Sequence, residues 1–250
     1  MNMAKTEVPI NKAPYHALII YSSLFCSGAL ISSKVVITTA SCFAQWTHNI
    51  SINVRLGTDN LLSEGQVIPV VEMVKHEYFN KPDKMANDIA LLFLKHNADM
   101  IKTKVEKIIL ALPDKRLNKK EVLTLSGWTK ADRRSKFENL MLVLQIEVLS
   151  EKECQNLSGS YSYPSNFCAH YRDANAFPRT ALQYNHTLAV VPHESGSPAI
   201  AHSEMLAGVL SFALQGYHKD QYAVLTNISY FYRWIGIKSA SFYKKTCIIA

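Results

Sequence analysis

Nowhere in its 250 residues does the chain carry an apolar run approaching the roughly 18 residues that a membrane-spanning helix needs, so no membrane span is expected. Its five cysteines include no Cys-x-x-Cys pair, which removes the usual zinc pattern, and neither a metal nor a cofactor is expected. No nucleic-acid-binding motif or stacking array of aromatics accompanies the basic residues, so no specific nucleic-acid binding is expected. Internal repeats and low-complexity segments are lacking as well. Met1 to Val8 has no apolar stretch that would open a signal peptide, and a targeting segment is therefore expected upstream of Met1.

What remains is the composition of a globular protein. The hydrophobic fraction is 48% and the aromatic fraction 10%, too high for a disordered chain. Two hundred and fifty residues suit one large domain or two small ones. Formal net charge is +7, from 27 basic and 20 acidic residues. The densest basic stretch runs from Lys115 to Lys136 and includes Arg116, Lys119, Lys120, Lys130, Arg133 and Arg134. It reads either as a solvated linker and loop or as a weak, salt-screened contact for a polyanion.

Short apolar runs with turn signals between them make the pattern all-β until the last twenty residues. They include Ala17–Tyr21, Gly28–Ile31, Val35–Thr39, Gln66–Val74, Ile89–Leu94 and Val122–Ser126. Further along come Met141–Val148, Met205–Phe212 and Tyr222–Asn227. Ile50, Ile52, Val54 and Leu56 alternate with polar residues, the mark of a half-buried strand. Near the end, Tyr230, Trp234 and Ile235 are spaced to share one helical face between Ile228 and Ser239. Periodicity alone does not choose between a sandwich and a barrel.

Four segments choose. They are Cys26-Ser27-Gly28, Thr38-Thr39-Ala40-Ser41-Cys42, Asn87-Asp88-Ile89-Ala90-Leu91 and His193-Glu194-Ser195-Gly196-Ser197-Pro198. In this order they resemble the trypsin-like (peptidase S1) serine proteases, which carry T-A-A-H-C, D-I-A-L and G-D-S-G-G-P. Leu125-Ser126-Gly127-Trp128 is similar to the S-G-W-G that opens that family's second barrel. The resemblance covers nearly the whole chain. It implies two six-stranded antiparallel β-barrels with a C-terminal α-helix, the first barrel in 1–112, a linker in 113–121 and the second barrel with its helix in 122–250.

The resemblance also implies roles. Cys26 matches a disulfide partner of Cys42, and Cys154 of Cys168, which leaves Cys247 over as a tail thiol or an intermolecular bridge. Disulfides point to an oxidising, extracellular compartment. Four sequons, at Asn49, Asn156, Asn185 and Asn227, agree with that but add little weight, since chance supplies about half as many. Other bridges of the family lack both partners here, with Val191 and Tyr217 at one and Leu123 and Ala201 at another.

Asp88 and Ser195 match the aspartate and nucleophile of the catalytic triad, while Ser41 stands in the place of the histidine. His48, His76 and His193 offer no evident stand-in. His193 also replaces the glycine of the oxyanion hole, Glu194 the following aspartate, and Ala189 the aspartate that binds basic side chains in trypsins. Ser211-Phe212-Ala213 resembles one wall of the specificity pocket, and Ala223 takes a second glycine position. Asn2-Met3-Ala4-Lys5 stands where the activation sequence of the family would begin. The expectation is a secreted, catalytically inactive serine protease homologue that works by binding an unidentified protein, as cofactor or decoy in a protease pathway. Competing readings are a weak trypsin-like endopeptidase with a non-standard site, a structural component cross-linked through Cys247, and a product without function.

Overall fold

The run Val35–Thr38 has no exposed position because both of its faces are covered. One face looks into a closed barrel and the other onto a second barrel, an arrangement seen in the computed structural model of the chain. The structure describes residues 9–22, 24–61, 64–113, 115–128, 141–158, 164–172, 195–202, 204–215 and 221–249.

The first barrel comprises β1 (His16–Tyr21), β2 (Leu24–Ser32), β3 (Val35–Thr38), β4 (Ile52–Leu56), β5 (Gln66–Lys75) and β6 (Ala90–Leu94). Their order is β1-β2-β3-β6-β5-β4, and β4 closes on β1. Ile52, Val54 and Leu56 point inward and the residues between them do not, as the alternation predicts. After β7 (Ile109–Leu110) come β8 (Val122–Trp128), β9 (Met141–Val148), α1 (Glu151–Ser158), β10 (Asn166–Tyr171), β11 (Pro198–Ile200), β12 (Met205–Gln215), β13 (Gln221–Asn227) and α2 (Ile228–Ile249). Strands β8, β9, β10, β13, β12 and β11 close a second antiparallel barrel, and β7 adds in parallel to β12.

Among the described residues, three larger apolar cores and a smaller cluster around the Cys154–Cys168 disulfide result. Each barrel has its own interior, and a third cluster joins Leu18, Val35 and Leu91 of the first barrel to Trp128, Val209 and Phe231 of the second half. Leu123 and Ala201 pack together inside the second barrel. Both expected disulfides are formed, Cys26 with Cys42 and Cys154 with Cys168. Loops of 16 and 14 residues make each closure worth about 3 kcal/mol in a chain-entropy model.

The structure corrects two sequence expectations. Helix α1 interrupts what reads as all-β sequence, and its start is a capping box. The Ser150 amide donates to Glu153 Oε2 (2.8 Å) and the Glu153 amide to Ser150 Oγ (3.3 Å). Helix α2 runs well past Ser239 because the first barrel holds it there. Phe242 stacks on Phe93 at 4.2 Å between ring centres, and the Tyr243 and Ser32 hydroxyls meet at 2.8 Å. Its buried face is Ile228, Phe231, Ile235 and Phe242, whereas Tyr230 is 50% exposed and turned away from it. Cys247 lies in the last turn of this helix rather than in a tail, and its side chain is outside the described residues.

His16 makes a buried polar contact between the barrels. His16 Nδ1 lies 2.9 Å from Ser126 Oγ of β8, and its Nε2 lies 3.0 Å from Ser27 Oγ of β2. Burial pushes the imidazole from its ordinary 6.5 down to about 3. The folded state thus holds His16 neutral while the unfolded chain takes up a proton below 6.5. Stability attributable to this residue is complete above pH 6.5 and falls progressively down to about pH 3, by about 5 kcal/mol for a shift of this size. Gln replaces both ring nitrogens with hydrogen-bonding groups that do not titrate. A His16→Gln protein is therefore expected to lose less stability than the parent between pH 6.5 and 3 in urea titrations. Equal losses would show that His16 does not set the acid limit.

Candidate functional site

Asp88 reaches the seam between the barrels because the loop before it is tied to itself. Asn80 Oδ1 accepts from the Met85 amide (2.8 Å), and Asn87 Nδ2 donates to the carbonyls of Lys81 (2.8 Å) and Tyr78 (3.1 Å). Asn80, Met85 and Asn87 all have positive φ, near 60°. The left-handed conformation suits the two asparagines and is uncommon for methionine. Strand β6 then begins at Ala90, and Thr226 Oγ1 of β13 donates to the Asp88 carbonyl (2.7 Å).

The carboxylate is fully buried and accepts hydrogen bonds from both barrels. From the first barrel, Asp88 Oδ1 accepts from the Ser41 amide and Oδ2 from the Ser41 hydroxyl, each at 2.7 Å. The Ala40 amide is a further donor. From the second barrel, the Ser211 hydroxyl donates to Oδ2 at 2.5 Å. Four donors fill the roughly four lone-pair sites of a carboxylate. Even so, burial raises its pKa from 3.8 to about 6, the hydrogen bonds from Ser211, Ser41 and Ala40 only partly opposing the desolvation.

Ser195 completes the cluster. It is 2% exposed, and its hydroxyl lies 2.6 Å from Thr39 Oγ1 and 3.4 Å from Ser41 Oγ. Laid end to end, the contacts through Ser41 put Ser195 Oγ within about 6 Å of Asp88 Oδ2. The Ser195 carbonyl accepts from the Ser27 amide (2.9 Å) and the Gly196 amide donates to the Leu210 carbonyl (2.7 Å). Gly196 has φ +86°, and a β-carbon there would sit 2.0 Å from the Ser27 carbonyl oxygen, so only glycine fits.

The three matched positions Ser41, Asp88 and Ser195 are therefore in one place, joined by hydroxyl groups. Of the histidines considered from sequence, His48 and His76 are elsewhere, and His193 is outside the described residues. His48 is exposed beside Trp46, and His76 packs between Phe231 and Trp234. His16 commits both ring nitrogens to Ser126 and Ser27. Ala213 and Ala223 are direct register partners on β12 and β13 and are both buried. Positions Ala189, Val191, His193, Glu194 and Tyr217 lie outside the described residues, as does the basic stretch beyond Trp128.

Sequence reasoning missed two contacts. Thr39 occupies the first alanine of the T-A-A-H-C pattern, a visible departure whose hydroxyl turns out to bond Ser195. Ser211 is read as a pocket wall, but its hydroxyl belongs to Asp88.

A family model described as Trypsin matches residues 3–178. Granzyme-like protein 1 of Rattus norvegicus is 28% identical over 238 residues, covering 92% of this chain and 87% of its own length. Trypsin 5G1 of Aedes aegypti is 26% identical over 212 residues, covering 82% and 73%. Among solved structures, the scabies mite inactivated protease paralogue S-D1 is similar with a TM-score of 0.76. It is 19% identical and the match covers 96% of this chain and 98% of that one, a likeness of fold.

The Asp88 carboxyl binds its proton more tightly in the folded than in the unfolded chain. Its contribution is therefore most favourable below pH 3.8 and is lost as pH rises through about 6. Above that, the buried charge costs about 3 kcal/mol. An asparagine would keep an acceptor for the backbone amides and offer two N–H donors to the Ser41 and Ser211 hydroxyls. Asp88→Asn is expected to stabilise the protein by about 1–3 kcal/mol at pH 7.5 and by nothing at pH 4 in denaturant titrations. Destabilisation at pH 7.5 would mean that the charge itself holds the seam.

Proposed function

The chain belongs to the trypsin family of serine peptidases, and from that premise we propose that it is a serine protease homologue that binds without cutting. The observation that carries the reading is Ser41, whose hydroxyl takes the place of the family's histidine on Asp88. In acyl transfer the histidine removes the nucleophile's proton, holds it and returns it to the leaving group. A hydroxyl has no appreciable basicity near neutral pH and cannot hold that proton. Loss of the base from such a triad costs on the order of a million-fold in turnover.

The surroundings of Ser195 support the same reading. Its hydroxyl is held by Thr39 at 2.6 Å, and it is almost wholly buried. With the nucleophile so engaged, what the fold offers another protein is its loops on a two-barrel scaffold. A role as cofactor or decoy in an extracellular protease pathway is the part of the proposal taken from the family, and the two disulfides agree with its extracellular setting. Secretion and glycosylation belong to the proposal, with the exposed Asn49 and Asn156 as acceptors. Captured from extracellular fluid, the same proteins are expected on the parent and on a Ser195→Ala form. Recovery that needs Ser195, or labelling of Ser195 by a fluorophosphonate, would overturn the reading in favour of a weak endopeptidase that passes its proton through Ser41 to Asp88.

Restoring the base alone is not expected to restore cleavage. An imidazole bonded at both nitrogens needs two contacts of about 2.8 Å plus the width of the ring. The gap of about 6 Å between Asp88 Oδ2 and Ser195 Oγ is too short for that. Members of a catalytic unit act non-additively, so one repair recovers little while Thr39 still holds the nucleophile. Ser41→His protein is expected to cleave a peptide panel far more slowly than trypsin. Rates within roughly a few hundred-fold of trypsin would show Ser41 to be the only serious lesion.

A further inference from the structure

Away from Ser195, the linker leading into β8, the start of α1, strand β10 and the first turn of α2 enclose a cavity of about 660 Å³. That volume is in the range of small-molecule sites. Apolar groups form much of its wall, among them Leu117, Leu149, Phe167, Tyr230 and the Cys154–Cys168 disulfide. Its charged residues are Lys115, Arg116, Lys119 and Glu151. Lys119 pairs with Glu153 at 2.7 Å, whereas Lys115 and Arg116 make no ion pair among the described residues. The Glu151 carboxylate accepts from Gln155 Nε2 (3.1 Å). The cavity therefore carries an uncompensated positive charge beside an apolar wall.

A second, independent feature lies on the same lining. Asn166 is only 3% exposed, and its Oδ1 accepts from Ser165 Oγ at 2.7 Å. Its Nδ2 has no acceptor among the described residues. A buried donor left unmet is unfavourable, and because Asn166 Nδ2 is covered by the wall, an oxygen acceptor in the cavity reaches it only by a turn of the side chain, which the pairing would favour. Unpaired cations, a buried unmet donor and apolar side chains on one lining together describe a ligand with one anionic oxygen-bearing head and one apolar body. Arginine suits such a head because its planar fork matches a carboxylate or sulfonate in two bonds.

We propose that this cavity is a binding site for a small amphiphilic organic anion, an aromatic or medium-chain carboxylate or sulfonate. The site is independent of Ser41, Asp88 and Ser195, so its failure would leave the non-catalytic reading untouched. A polyanion tracking the exposed lysines is the competing macromolecular occupant, and it would not need the apolar wall.

The test uses the full chain and anilinonaphthalene sulfonate, an aromatic sulfonate whose fluorescence rises on leaving water. One saturable site is expected, displaced by octanoate at least tenfold more effectively than by octanol. Lys115→Glu with Arg116→Glu, both exposed linker residues, is expected to weaken binding at least tenfold with the melting temperature unchanged. Gln155→Trp on the exposed face of α1 is expected to block the cavity and weaken binding similarly. The same charge reversal at Lys81 and Arg233, which line a different cavity, is expected to change affinity less than twofold. Octanol displacing as well as octanoate, the linker pair binding normally, or the Lys81 and Arg233 pair weakening binding equally would each overturn the proposal. So would dye displaced by heparin and not by octanoate, which would assign the surface to a polyanion.

Discussion

One buried carboxyl group joins the two barrels at their seam through its hydrogen bonds. Asp88 takes donors from the first barrel at Ala40 and Ser41 and from the second at Ser211, while Thr226 binds its carbonyl. No cation forms an ion pair with it among the described residues, and the hydrogen bonds from Ser211, Ser41 and Ala40 offset the desolvation only in part. Everything near Ser195 is arranged around that compromise. The strained loop before Asp88 delivers the side chain, the Cys26–Cys42 bridge pins the turn that carries Ser41, and Gly196 lets the Ser195 loop press onto β2.

This explains how a protease fold persists without its histidine. An imidazole deleted from such a site would leave Asp88 short of a donor in a dry interior, a costly vacancy. Serine supplies the missing donor at 2.7 Å from a much smaller side chain, and Thr39 supplies a partner for the Ser195 hydroxyl. Both substitutions satisfy hydrogen-bonding groups that catalysis would otherwise use. Polar satisfaction is a requirement of the fold in its own right, and the cluster meets it.

Much of this was legible in the sequence because the landmarks are covalent or conformational. Cysteine spacing, the Asp88 strand and the Ser195-Gly196 turn point to one family and so to two barrels. Less legible were the elements without periodicity. Helix α1 buries little beyond Cys154, so no apolar stripe announces it, although Ser150 and Glu153 spell a capping box. Strand β10 mixes Asn166, Cys168 and His170 into its apolar residues. His16 stands in an apolar run, and nothing in its spacing reveals Ser27 and Ser126 as partners, because they come from different barrels. Contacts that depend on how two closed sheets meet are written in no local pattern.

Helix α2 follows the last strand of the second barrel, packs against β12 and then reaches back to the first barrel. Phe242 covers Phe93, Tyr243 meets Ser32, and Glu72 and Glu77 hold Lys245 and Lys238. These contacts span roughly 150 residues or more of chain, the costliest kind to close. During synthesis the first barrel emerges early, but its outer wall stays bare until the helix has been made. The order of translation and the order of completion therefore run in opposite senses. The half of the molecule that begins to fold first is among the last to be finished, and it carries an uncovered apolar face through most of its biogenesis.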